Sequence, residues 1–235
     1  MTDYSVSVMY CAGLEGRKET VDKLQKEFPD IYVSNDIERK GTWFNARRCL
    51  EYSLEQNKEY SVIFQDDIDF SLDLKNTIPA LYNAQKQATL ICMCSVRGKT
   101  RTAYDRGYSW ATAYGILGGF YGLIIKTSHI RIFLNWVDNL KETDKKIHDD
   151  VYLKYWSCLN KILTYIPIPN LVQHKNKNTY FNHPLHFKRY SKVAFNPEIS
   201  YKDHNWNKKD CFYLGNFFDK KDQEYYNNFM KGHNG

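Results

Sequence analysis

A single α/β domain, with a mixed sheet covered by helices on both faces, is the fold class this sequence predicts. Three observations predict it. Short apolar runs rich in β-branched and aromatic residues alternate with segments whose apolar residues recur at helical spacing. No repeat or low-complexity stretch divides the 235 residues, and Gly and Pro are scattered. Hydrophobic residues make up 43% and aromatics 16%, enough for a sizeable core and too many for a mostly disordered chain. Residues 1–190 are expected to form the main domain, with 191–235 an extension wrapped on it.

The elements follow in order. Ser5 to Cys11 reads as a strand. Gly13 and Gly16 then open a helix from about Arg17 to Phe28, on which Val21, Leu24 and Phe28 share a stripe. Ile31 to Val33 is a short strand, and Asn35-Asp36 a turn. Thr42 to Gln56 is a second helix, with Ala46, Leu50 and Leu54 on one face. Tyr60 to Phe64 is a strand that ends abruptly in Gln65-Asp66-Asp67-Ile68-Asp69. Leu72 to Lys86 reads as helical, broken near Pro79. Ala88 to Val96 is a strand, Arg97 to Trp110 a polar and aromatic loop, and Tyr121 to Ile125 another strand. Thr127 is placed to cap a helix carrying Ile130, Phe133, Leu134, Val137 and Leu140. A last helix runs from about Asp149 to Lys161. The chain then passes through Ile166 to His174 into a tail of Tyr, Phe, Lys and Asn.

Composition narrows the class. The longest apolar run falls far short of the roughly 20 residues a bilayer span needs. Met1 to Tyr10 lacks a basic segment followed by an apolar stretch, so a soluble cytoplasmic protein is expected, in the host cytoplasm if the source is viral. Of six cysteines only Cys92 and Cys94 lie close together, and no pair has zinc-site spacing, so free thiols are expected. The 33 Lys and Arg exceed the 27 Asp and Glu, a charge of +6 that suits an anionic ligand.

Asp66, Asp67 and Asp69 stand where an apolar strand ends, the place where open α/β sheets bind ligands. Carboxylates gathered there are hard oxygen ligands for Mg²⁺ or Mn²⁺. A solvated acidic turn is the alternative. His148-Asp149-Asp150 opens a helix, where acidic residues complement free amides and the dipole. One of those carboxylates could instead act on a reacting hydroxyl. His174 follows two prolines and is either structural or a further metal ligand.

Four segments in order resemble the nucleotide-sugar-dependent glycosyltransferases of the GT-A fold. Val8 to Arg17 (VMYCAGLEGR) looks like their first strand and base-binding turn, and Val62 to Asp69 (VIFQDDID) like their strand with its Asp-x-Asp motif. Gly118 to Ser128 followed by His148 to Leu153 is similar to their acceptor side, and Pro167 to His174 to the segment that brings a histidine to the metal. The resemblance implies a Rossmann-type GT-A sheet, a Mn²⁺ or Mg²⁺ cofactor and a nucleotide-sugar donor, a UDP-sugar first among them. It makes Asp67, Asp69 and His174 the metal ligands, with Asp66-Asp67 an equal choice for the working pair. Asp66 would face the ribose or base, and Tyr10, Ala12 and Arg17 would line the nucleotide pocket, Tyr10 stacking on the base and Arg17 pairing with phosphate. Asp149 or Asp150 would serve as base in an inverting reaction, or hold hydroxyls in a retaining one.

Arg97, Lys99, Arg101 and Arg106 interleave with Tyr104, Tyr108 and Trp110, as in a lid over an anionic donor or a track for nucleic acid. The richness in Lys, Asn, Tyr, Phe and Ile suits an AT-rich genome such as a bacteriophage's. A hydroxymethylated pyrimidine in phage DNA is then an acceptor to consider, beside saccharide or protein hydroxyls. A two-metal phosphoesterase or nuclease, and a non-catalytic nucleic-acid-binding module, are the competing functions.

Overall fold

The computed structural model describes residues 4–95, 98–115, 120–140, 149–175, 195–207, 210–216 and 224. Along them run β1 (Tyr4–Tyr10), α1 (Arg17–Glu27), β2 (Tyr32–Asn35), α2 (Thr42–Gln56), β3 (Tyr60–Gln65), β4 (Ile68–Phe70), α3 (Leu74–Ala84) and β5 (Leu90–Cys92). They continue with α4 (Gly98–Asp105), β6 (Trp110–Tyr114), β7 (Gly122–Lys126), α5 (Thr127–Asp138), α6 (Asp149–Leu159), β8 (Leu163–Pro167), β9 (Val172–His174) and β10 (Cys211–Asn216). Among the described residues, eight strands form one mixed sheet in the order β10-β6-β8-β5-β7-β3-β1-β2, and β4 pairs with β9 in a ribbon of two. β1, β2 and β3 run parallel, while β7 is antiparallel to both β3 and β5. The expected mixed α/β sheet is present.

Strand alternation divides the core between two faces. Val62 and Phe64 pack in one cluster with Val21 and Leu24 of α1 and with Leu74, Ile78 and Leu81 of α3. Ile63 joins the other cluster, with Leu50 of α2, Phe133 of α5 and Trp156 of α6. Helices therefore cover both faces, as expected. From β1 the chain crosses by α1 to β2 on one side, then returns by α2 past β1 to β3. Right-handed crossovers running in opposite directions put the two helices on opposite faces. The carboxyl edge between β1 and β3 is thus a topological switch point, where such sheets leave a crevice.

Several elements depart from expectation, each for a local reason. Pro79 does not break α3, which runs through it. The proline withdraws the N–H that would bond the Lys75 carbonyl, and the Tyr4 hydroxyl donates to that carbonyl instead, at 3.0 Å. Tyr4→Phe should then cost about 1–2 kcal/mol, read as a lower midpoint in urea unfolding with the slope unchanged. Thr127 is the first residue of α5 rather than its cap, and its hydroxyl lies 2.9 Å from that of Ser61. Over residues 98–110 the expected loop holds α4 and the start of β6 instead, and Arg97 lies outside the described residues. The fourth strand is shorter than expected, because beyond Cys92 the Met93 carbonyl accepts the Leu171 and Val172 amides rather than continuing the ladder. From the C-terminal extension, β10 joins the edge of the main sheet beside β6.

No described helix is long and apolar enough to cross a membrane. All six cysteines are free, with Cys49, Cys92 and Cys94 buried.

Candidate active site

The end of β1 is tied to the end of β3 through Asp66. The Cys11 amide donates to Asp66 Oδ2 at 2.7 Å. Gly13 and Gly16, both at positive φ, let the chain turn after β1 and enter α1 with Arg17 as its first residue. From there Arg17 Nη1 reaches Asp66 Oδ1 at 2.5 Å and Asp67 Oδ2 at 2.8 Å. His174 arrives from the other side. In the β4–β9 ribbon it lies opposite Ile68, and the Lys175 amide donates to the Asp67 carbonyl at 2.6 Å. His174 Nε2 stands 2.8 Å from Asp67 Oδ2, with its ring edge-on to Tyr121 at 4.6 Å.

All four of these charged or polar side chains are buried. Burial pushes the Asp66 carboxyl up to about 6, against the pull of Arg17 and of the Cys11 amide. Burial would raise Asp67 too, but the hydrogen bond with His174 and the Arg17 charge outweigh it, holding Asp67 below the usual carboxylate range. The result is two neighbouring carboxyls with different proton affinities, at the switch point of the sheet.

Asp69 stands apart. It lies opposite Gln173 on the ribbon, its side chain is 42% exposed, and it pairs with Lys175 at 3.2 Å. Of the three expected metal ligands, then, Asp67 and His174 touch and Asp69 faces Lys175. Among the described residues no group of three or more His, Cys, Asp and Glu is gathered as a metal cage. Asp67 and His174 nevertheless fit a cation as two of its ligands. Asp67 Oδ1 and His174 Nδ1 are buried without a hydrogen-bond partner. An oxygen and an imidazole are a donor set that first-row divalent metals accept.

Asp149 opens α6 at the same edge. The Asp36 amide and the Asn45 side chain both donate to the Tyr10 carbonyl, which fixes the start of α2 beside the end of β1. Trp43 packs on Tyr152 at 4.8 Å and on Phe133 at 5.9 Å, drawing α2, α6 and α5 together. Asp149 is consequently buried, hydrogen-bonded by Thr42, with Oδ2 unpartnered. Burial first, and the neighbouring Asp150 second, push its carboxyl up to about 7. Asp150 itself is exposed, and His148 lies outside the described residues.

The Asp149 shift has a stability consequence. Because the folded chain holds this proton more tightly than the unfolded one, the group favours folding below its ordinary value of 3.8, and that advantage is lost as pH rises through about 7. Asp149→Asn keeps the Thr42 partner and removes the charge. Its stability relative to the parent should rise by on the order of 2 kcal/mol between pH 5 and pH 8, measured by urea unfolding at both.

Tyr10 is partly buried against the first core cluster, and Ala12 lies half-buried in the turn before α1. Arg17, expected to pair with phosphate, pairs with the two aspartates. Three residues were missed in the sequence. Asp36, there only part of a turn, is buried and accepts the Lys40 and Gly41 amides at 2.8 and 2.9 Å, fixing the loop before α2. Lys175 and Tyr121 flank Asp69 and His174. Proximity across the sheet, not any local pattern, brings these two in. A depression of about 550 Å³ at the opposite edge is lined by Lys58, Lys126, Thr127 and Arg131. It is open and holds none of the buried carboxylates.

No family model matches the chain, and no curated protein does. Among solved structures, the crystal structure of A197 from STIV is 18% identical, with a TM-score of 0.44 over 72% of this chain and 85% of that one. A likeness of that extent bears on neither site nor activity.

Proposed function

We propose that this chain is a cation-dependent glycosyltransferase, moving a sugar from a nucleoside-diphosphate donor, a UDP-sugar first among candidates, to a hydroxyl acceptor. The observation that carries the reading is the pairing of Asp67 with His174 at the switch point between β1 and β3: Oδ2 and Nε2 meet at 2.8 Å, while Asp67 Oδ1 and His174 Nδ1 are buried without a partner. Asp67 and His174 would hold Mn²⁺ or Mg²⁺, and the donor's diphosphate oxygens would complete the coordination. The cation supplies neutralisation of the charge that the departing diphosphate acquires, without a proton.

The remaining roles belong to the chain. Asp66, held by the Cys11 amide and Arg17, presents a fixed edge of the nucleotide pocket beside Tyr10 and Ala12. Asp149 has the proton affinity of a base that works near neutral pH. In an inverting reaction it takes the acceptor's hydroxyl proton as the new glycosidic bond forms and the bond from sugar to diphosphate breaks. Asp150, exposed on the same turn, is the carboxylate that an acceptor meets first. Asp149→Asn should then flatten the acid limb of the kcat profile, whereas Asp150→Asn should raise KM for the acceptor.

The fitting experiment is thermal unfolding against a panel of nucleotide sugars, with and without Mn²⁺. Stabilisation by one nucleotide that needs Mn²⁺ and disappears in Asp67→Ala supports the reading. Absence of any donor-dependent shift removes it. A hydroxymethylated pyrimidine in DNA as acceptor adds a requirement. Duplex binding must then weaken steeply from about 50 to 200 mM salt, as phosphate contacts dictate.

A further inference from the structure

Asp66 and Asp67 are adjacent and buried, and one guanidinium nitrogen bridges them. Buried charges of one sign need a partner of the other, and here the chain supplies its own. We infer that Arg17 is a built-in counter-cation, which holds Asp66 and Asp67 in place while no divalent cation is bound and competes with that cation for Asp67. This deepens the proposed function and rests on the site being cation-dependent.

The geometry makes the competition specific. Arg17 Nη1 and His174 Nε2 approach the same oxygen, Asp67 Oδ2, each at 2.8 Å. A divalent cation on Asp67 and His174 would share that oxygen with the guanidinium, and two positive charges a few ångströms apart in a buried site repel strongly. Arg17 must then withdraw from Asp67. It has somewhere to go, because Asp66 Oδ1 already holds the same nitrogen at 2.5 Å. The helix behind it stays put, since Thr20, Val21 and Leu24 are buried, and Thr20 accepts the Lys175 ammonium at 2.9 Å. Only the side chain has to move. Lys175, at 3.2 Å from Asp69, stands to that carboxylate as Arg17 does to Asp67. Both aspartates of the expected motif therefore carry a resident cation.

The consequence is that Mn²⁺ alone binds weakly to the parent and tightly once Arg17 is gone. The test titrates Mn²⁺ without nucleotide, following free Mn²⁺ by electron paramagnetic resonance and the protein by thermal unfolding. Arg17→Met should unfold at lower temperature than the parent without metal, bind Mn²⁺ at least ~10-fold tighter and show the larger Mn²⁺-induced rise. Asp67→Asn in the Arg17→Met background should erase both gains. Arg17→Lys keeps the charge on a shorter side chain without the planar fork, so it holds the two carboxylates less firmly and a gain of a few-fold is expected. If Arg17→Met fails to fold in metal-free buffer, refolding in Mn²⁺ that depends on Asp67 gives the same answer. Mn²⁺ affinity in Arg17→Met and Arg17→Lys no tighter than in the parent overturns the inference. No donor enters the experiment, so lack of sugar transfer would leave this result readable by itself.

Discussion

Asp67→Asn is expected to lower the proposed cation-dependent sugar transfer on the order of 10²–10³-fold. Asp67 is the side chain on which the site converges: Arg17 and His174 both meet its Oδ2, and its Oδ1 is buried with no partner. Removing its charge weakens the hold on a cation and, with it, the stabilisation of the leaving diphosphate, a loss of several kcal/mol in the transition state. The same substitution leaves His174 facing an amide and gives Arg17 only Asp66. Breaking a buried ion pair costs about 3–5 kcal/mol, and the surviving Asp66 partner puts this case at the lower end. Steady-state kinetics and urea unfolding should both register it. His174→Gln, which removes the imidazole and keeps Asp66, Asp67 and Arg17 paired, should reproduce the kinetic loss with a smaller stability loss. Kinetics unchanged in both variants would exclude this pair from the reaction.

Trp156→Ala is expected to cost about 3–5 kcal/mol, the largest stability loss of any single truncation named here. Trp156 is fully buried in α6, packing on Phe133 of α5 at 5.3 Å and on His129 at 6.4 Å. Its cluster includes residues of α2 and of the central strands, so the void left by alanine has rigid walls on several sides and little can collapse into it. For a chain of this size the midpoint of thermal unfolding should fall by roughly 6–20 °C. Because the same packing positions the start of α6, the elevated proton affinity of Asp149 should relax towards ordinary carboxylate values, read by NMR titration of that carboxyl. A variant as stable as the parent would contradict the packing described.

The layout of the first half was legible because its signals are local. The continuous apolar run at Tyr60–Phe64 and the period-3.6 stripes at Val21-Leu24-Phe28 and Ala46-Leu50-Leu54 each fit one element, and the structure builds β3, α1 and α2 on them within a residue or two. The stretch around α4 was not legible for the opposite reason. It buries little more than Ala103, so there is no apolar stripe, and its one helical signal is the Arg101–Asp105 pair at i,i+4. Arg106 lies over the Phe212 ring of β10, a contact across 106 and 212 in sequence that no local pattern announces. The β4–β9 ribbon was hidden likewise, since each strand has three residues and neither forms without the other.

The site was legible in its parts and not in its wiring. An acidic cluster at a strand end, a histidine after two prolines and an arginine opening a helix are visible in the chain. That Arg17 would turn inward to two aspartates follows from the Gly13–Gly16 turn and from Arg17 being the one buried lysine or arginine among the described residues. That Asp69 would face Lys175 follows from ribbon register, which pairs residues more than 100 positions apart.

The most direct test of the central claim is to identify what the protein cleaves from a nucleotide sugar in the presence of Mn²⁺, with water or an added hydroxyl as acceptor. The account predicts slow release of the nucleoside diphosphate, the bond from sugar to diphosphate having broken, and far slower release in Asp67→Asn. Release of nucleoside monophosphate with sugar phosphate, or hydrolysis of phosphodiesters while every nucleotide sugar stays intact, would contradict it.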